Sequence, residues 1–172
     1  MPKGVDRSLP PLPERFWTRV SKGEPDQCWE WLGYKARNGY GKLGVQGRKT
    51  VSAHRYAYEV TFGAIPDGLQ IDHVCGNRAC VNPAHLRPAT DSENHCNTKL
   101  LTSNTSGLKG ASWSADKGKW LAQIVIRNVH HFLGYFATAK EAHATYCRAA
   151  ERLHGEFANF GYRKARPAKE SL

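Results

Sequence analysis

Apolar positions in this chain recur with two rhythms. Between 28 and 54 they come in short bursts, "CWEWLGY", "YGKLGVQ" and "KTVSAH", with turns at Asn38-Gly39 and Gly47-Arg48. That pattern predicts three antiparallel strands. The stretch "AHRYAYEVTFG" (53–63) has helical character and ends at Gly63. Then "AIPDGLQIDH" turns into a short strand, and "HLRPAT" (85–90) reads as its return. "TDSENHCNTK" opens a helix, with Thr90 or Asp91 as cap and Glu93 close behind. The order is strand, loop, strand, helix.

The rhythm changes after "LLTSNTSGL" (100–108), a polar stretch that reads as a linker. "KGASWSA", "KWLAQIVIR" and "HHFLGYFA" predict three strands, with turns at "DKG" and "RNV". Alternation along the second places Trp120, Ala122, Ile124 and Ile126 on the core face, and Leu121, Gln123, Val125 and Arg127 outward. "TAKEAHATYCRAAERLHG" (138–155) is a helix capped by Thr138 and Glu141 and closed by Gly155. Ala142, Tyr146, Ala149 and Leu153 fall on one of its faces. The prediction is an α+β protein. Residues 1–25 form a flexible arm, within which "ERFWTRV" (14–20) can start a short helix. Domains follow at 26–99 and 109–162 around the 100–108 linker, and 163–172 is a basic tail.

Composition narrows the functions. The chain has 172 residues and a net charge of +10, with five Trp, seven Tyr and six Phe interleaved among the basic positions. That balance is an electrostatic footprint of nucleic-acid binding, a partner that the resemblances given below make double-stranded DNA. No run approaches the ~18 apolar residues of a membrane span, and the first residues lack the apolar core of a signal peptide. A cytoplasmic setting, or the inside of a host cell, is the expectation. A hydrophobic content of 40% is lean for two cores, so a staple is expected. In a reducing compartment the five cysteines favour metal over disulfide. Lys35, Arg37, Lys42, Arg48 and Lys49 line the first sheet. They make either a solvated face or a basic ribbon for the DNA major groove.

The chemistry concentrates in "IDHVCGNRACVNPAHL" (71–86). Cys75, Cys80 and His85 are soft donors in one loop, and a closed tetrahedral zinc site needs a fourth. Cys28 is the candidate. Cys96 and Cys147 sit in helices and read as packed or free thiols. What remains suits cutting. Asp72 and Asn94 offer hard oxygens to a cation such as Mg²⁺, and His73 can take a proton from water.

"DHVCGNRACVNPAHLRPATDSEN" resembles the HNH nuclease motif, in the form carried by His-Cys box homing endonucleases and phage HNH proteins. The resemblance covers about 26–98 and implies a ββα-metal fold. It makes His73 the general base and Asn94 a ligand of the catalytic Mg²⁺ or another divalent cation, with Asp72 as second ligand. It gives the structural zinc to Cys28, Cys75, Cys80 and His85. It makes Asn82 the middle residue of the motif, bracing the loop. "AHRYAYE" is also typical of phage HNH proteins, which makes Arg55, and less so His54, a candidate to hold the cleaved phosphate.

Residues 109–160 resemble the APETALA-type (ethylene-response-factor) DNA-binding domain, through Trp120, "LGYF" at 133–136, the Ala-rich helix and "ANF" at 158–160. By that resemblance the sheet enters the major groove, with Lys109, Ser112, Ser114, Gln123, Arg127, His130, Phe132 and Tyr135 facing DNA. The expectation is a homing-type HNH endonuclease of a phage or mobile element, targeted by its C-terminal domain. The chemistry lies upstream of the linker, so residues up to about 100 are expected to suffice for cutting. A double-strand break would need two active sites, hence a homodimer. The alternative is a zinc-stapled DNA-binding regulator that does not cut; it leaves Asp72, His73 and Asn94 unexplained.

Overall fold

A computed structural model describes residues 11–45, 49–97, 100, 104–127 and 129–161. The chain divides into two compact units. One comprises Met1–Ile65 with Asn77–Arg87, the other Pro66–Gly76 with Pro88–Leu172. Among the described residues no helix is long and apolar enough to cross a membrane.

The first unit begins with helix α1 (Leu12–Trp17), which has a proline in its first turn, followed by strand β1 (Val20–Ser21). Both fall where a flexible arm is expected. The difference has a physical reason: Phe16 is fully buried, stacked on Trp31 at 5.2 Å and tilted against Tyr56 at 4.9 Å. An aromatic ring that leaves water in this way holds its own segment against the core. Residues 1–10 of the arm lie outside the described residues.

The predicted three-stranded ribbon is also redistributed. Strand β2 (Glu30–Trp31) pairs with β1, and β3 (Lys42–Gly44) pairs with β4 (Thr50–Ser52). Between the two pairs only an isolated bridge, Lys35 to Gly41, continues the ladder. The Trp31 ring explains the break. It lies against the backbone at Gly41, where a Cβ would come within 2.6 Å of its Cδ1. The Asn38-Gly39 turn is present, with Gly39 at φ 84 and its N–H bonded to Ala36. Helix α2 (Ala53–Phe62) follows β4 directly, buries Ala53 and Ala57, and ends at Gly63.

Strand β5 (Gln70–His73) pairs with β6 (Leu86–Ala89), and helix α3 (Asp91–Cys96) comes next. Thr90 and Glu93 close a capping box at its start, so this short helix is anchored at its N-terminus.

Strands β7 (Ala111–Ser114), β8 (Lys119–Ile126) and β9 (Val129–Phe136) form an antiparallel three-stranded sheet. Helix α4 (Ala139–His154) packs on it, burying Ala142, Tyr146, Ala149 and Ala150. Ala150 takes the place expected of Leu153, which is exposed. Trp120, Ala122, Ile124 and Ile126 all belong to the core, as alternation along β8 predicts. A register shift between Ala122 and Gln123 is accommodated opposite, at Leu133 of β9, which turns into the core. Gly110 (φ 74) is needed before β7, since a Cβ there would meet the Tyr146 ring at 2.1 Å. Residues 104–108 of the linker form a compact turn, in which Ser106 Oγ donates to the carbonyls of Leu108 and Ala111. Linker residues 101–103 and the tail at 163–172 lie outside the described residues.

Candidate active site and metal centre

The segment after Cys75 is held against β2 by backbone bonds. Trp31 N donates to Ala79 O and Val81 N donates to Trp29 O, each at 2.9 Å. This pairing brings the segment that follows Cys28 alongside Cys80. Asn82 then locks the arrangement. Its Nδ2 donates to the carbonyls of Pro25 (2.9 Å) and Gln27 (2.7 Å), and its Oδ1 accepts from Ala84 N. Its backbone N–H points at Cys80 Sγ, at 3.4 Å. Asn77 does similar work, donating to the Glu30 carboxylate at 2.9 Å and accepting from Ala79 N. Asn82 is therefore a buried brace, and its amide is spent on the loops rather than turned to a substrate.

Cys28, Cys75, Cys80 and His85 come together, with their ligand atoms all within 4.8 Å of one another. Cys80 Sγ and His85 Nδ1 are 3.6 Å apart. None of the five cysteines is in a disulfide. Three thiols and an imidazole at such distances could hold a metal ion.

Asp72 and His73 end β5, and both are buried. A side chain that the sequence did not single out organises them. Asn97, just past the end of α3, donates through Nδ2 to both carboxylate oxygens of Asp72, at 2.9 and 3.1 Å. The same group reaches the His73 carbonyl at 3.0 Å. Asn94, the residue expected to share a metal with Asp72, lies half-buried on α3 and donates to Gln70 Oε1 at 3.0 Å. Gln70 in turn donates to Asp91. The repeat of Asn at 94 and 97, one helical turn apart in "ENHCN", was the available signal for the second asparagine.

On α2, Arg55 is half-buried, and His54 is buried with its ring 5.2 Å from that of Tyr40. Of the basic residues expected on the first sheet, Arg37 and Lys49 are exposed. Lys35 is in an ion pair with Glu30 at 3.2 Å, and Lys42 donates to Ser52 Oγ. Arg48 lies outside the described residues.

On the C-terminal sheet, Arg127, His130, Phe132 and Tyr135 are exposed, and Ser112, Ser114 and Gln123 are half-buried. Arg127 occupies the turn between β8 and β9 at φ 48. Phe132 and Tyr135 pack ring to ring at 5.1 Å. Lys109 is half-buried, and its ammonium donates to the Cys96 carbonyl at 3.2 Å, at the end of α3. Burial lowers its pKa to about 8, against a smaller opposing pull from Cys96. Cys96 and Cys147 lie beside His154 and His143, at 3.2 and 3.4 Å.

Residues 51–96 match the HNH endonuclease family. The chain is 37% identical over 112 residues to Protein 3.8 of Escherichia phage T7, spanning 65% of this chain and 92% of that protein. It is 41% identical over 69 residues to Protein 7.7 of the same phage, spanning 40% of this chain and 52% of that one. An uncharacterized HNH endonuclease of Acanthamoeba polyphaga mimivirus is 29% identical over 143 residues, which cover 83% of this chain and 68% of its relative. The chain belongs to the HNH endonuclease family. Membership implies a nuclease acting on DNA with the help of a divalent metal.

Proposed function

We propose that the chain is a Mg²⁺-dependent HNH endonuclease of the homing type. In this reading it cuts DNA phosphodiester bonds at sites selected by its C-terminal sheet, in the host cell of a phage. The observation that supports this most is the buried Asp72–His73 pair at the end of β5. It faces a capped helix and lies next in sequence to the loop that carries Cys75, Cys80 and His85.

The two donor sets suit two different metals. Asp72 and Asn94 offer hard carboxylate and amide oxygens, the usual partners of Mg²⁺. Both Asp72 carboxylate oxygens accept from Asn97 Nδ2, which orients the carboxylate. Cys28, Cys75, Cys80 and His85 are a soft set suited to zinc. Zn–S bonds of ~2.3 Å set tetrahedral sulfurs roughly 3.8 Å apart, compatible with ligand atoms this close. That zinc would be structural, joining the Cys28 segment to the 75–85 loop.

In the cutting step His73 acts as general base. It takes a proton from a water whose oxygen attacks phosphorus in line. The bond to the 3′ oxygen breaks, leaving a 5′-phosphate and a 3′-hydroxyl whose proton comes from solvent. A divalent cation held by Asp72 and Asn94 would neutralise charge on the scissile phosphate and on the departing oxygen. In this reading Arg55 holds the cleaved phosphate. A double-strand break would require a second copy of the chain.

The C-terminal sheet, with the 109–162 segment as an APETALA-type domain, is the targeting element. Its exposed Arg127, His130, Phe132 and Tyr135, flanked by Ser112, Ser114 and Gln123, combine charge, donors and aromatic faces. Arg37 and Lys49 of the first sheet would add sequence-independent phosphate contacts.

Plasmid cleavage with Mg²⁺, with and without chelator, tests the activity, and His73→Ala tests the centre. Loss of a general base costs ~10²–10⁴ in rate. The variant should bind DNA as the parent chain does and cut at most at a trace rate. Binding without cutting by the parent chain itself would favour the regulator reading.

A further inference from the structure

Asn97 is itself held from behind. Its Nδ2 is committed to Asp72 and the His73 carbonyl, so its Oδ1 must accept. The donor is Asn159, in the segment that follows α4. Asn159 Nδ2 lies 3.0 Å from Asn97 Oδ1 and 3.1 Å from the Asn97 carbonyl oxygen. One amide thus grips both acceptors of Asn97. Asn159 is fixed in turn at its other polar groups. Its Oδ1 accepts from Gly161 N at 2.8 Å, and its carbonyl accepts from Tyr146 Oη of α4 at 3.0 Å. Tyr146 is buried, and burial above all raises its pKa, which keeps the phenol a donor. The path from Tyr146 through Asn159 and Asn97 to Asp72 lies entirely within the second compact unit.

We infer that Asn159 is a positioning residue for the nuclease centre. Through Asn97 it fixes the orientation of the Asp72 carboxylate and of the His73 backbone, so that the C-terminal segment completes the active site. The inference rests on the reading of Asp72 and His73 as the cutting centre. It adds that residues up to about 100 do not suffice for full activity, because the last support of Asp72 comes from residue 159. A carboxylate swinging about an unfixed Asn97 would leave the reacting groups misaligned, and small misplacements are costly in rate.

The test uses the full chain with Asn159→Asp and Asn159→Ala. The aspartate is isosteric and keeps the acceptor for Gly161, but it sets an oxygen against both Asn97 acceptors. Turnover and KM on cleavable DNA, binding to the same DNA without Mg²⁺, and melting temperature are read for each. The expected result is a fall in kcat of about ten-fold or more, with KM and DNA affinity within about two-fold and melting little changed. The Asn97 side-chain amide resonances should shift in the ¹⁵N spectrum of both variants. Unchanged kcat overturns the inference. A rise in KM alone overturns it too, since Asn159 would then be a DNA contact. Collapse of the melting transition in both variants would make it a residue of the C-terminal fold instead. His73→Ala run alongside separates the two failures. If that variant cuts normally, the assignment of the centre falls; if it is dead while Asn159→Asp is fully active, only the positioning role falls.

Discussion

His85 Nε2 lies 3.0 Å from the backbone carbonyl of Asp26, while its Nδ1 lies 3.6 Å from Cys80 Sγ. The carbonyl accepts only from an N–H, so it selects the tautomer protonated on Nε2 and leaves the Nδ1 lone pair toward the thiols. The imidazole is thus oriented, by a residue near Cys28, so that its Nδ1 could serve a metal.

Metal removal should therefore be a folding event. Structural zinc contributes folding free energy on the order of 10 kcal/mol. Elemental analysis should find one zinc per parent chain; Cys80→Ser should lose it, and the first unit should lose its cooperative melting transition. A strong chelator should do the same to the parent chain. A zinc-free protein that melts and cuts like the parent would remove the metal from the account.

Phe16→Ala tests whether the segment before residue 26 is an arm or part of the fold. The ring is fully buried between Trp17, Trp31 and Tyr56. Its loss should cost about 3–5 kcal/mol, as for other buried aromatic rings. Denaturant midpoints measure it. A cost below about 1 kcal/mol would return the segment to the status of an arm.

Local signals made much of this fold legible. The capping boxes at Thr90/Glu93 and Thr138/Glu141 mark helix starts that depend only on neighbours in sequence. Cys75, Cys80 and His85 announce themselves by donor chemistry, and the partnership with Cys28 follows from needing a fourth ligand. What stayed hidden depends on distant partners. The pairing of β1 with β2 is set by where Phe16 and Trp31 pack, which no local pattern encodes. Lys109 reads as an outward cation until the Cys96 carbonyl appears beside its ammonium. Asn97 and Asn159 are ordinary polar residues in sequence, and 62 positions separate the amides that meet.

Acid should weaken the chain in part through His154. Its pKa lies below the ordinary 6.5, because burial penalises the imidazolium and the Lys109 charge opposes it. The unfolded chain therefore takes up this proton first as the pH falls. The group costs nothing well above about pH 6.5, and stability drops as the pH passes below that value, until the folded ring is protonated as well. Melting temperatures at about pH 7.5 and about pH 5.5 should differ more for the parent than for His154→Gln. An equal difference in both chains would rule out this histidine as a contributor.

Arg127 and Lys109 should separate cleanly in a salt titration of DNA binding. Arg127 is exposed in the β8–β9 turn, where a phosphate can reach it. Lys109 is half-buried with its ammonium on the Cys96 carbonyl, and its pKa near 8 reflects that burial. Each phosphate contact releases condensed counterions, so losing one lowers the slope of log K against log salt by about one unit. Arg127→Ala should show that reduction and weaken binding to all sequences alike. Lys109→Met should leave the slope where it was, because no phosphate contact is lost. The reverse ranking would mean that DNA approaches the side of the sheet next to α3, and the targeting face would have to be redrawn around Lys109.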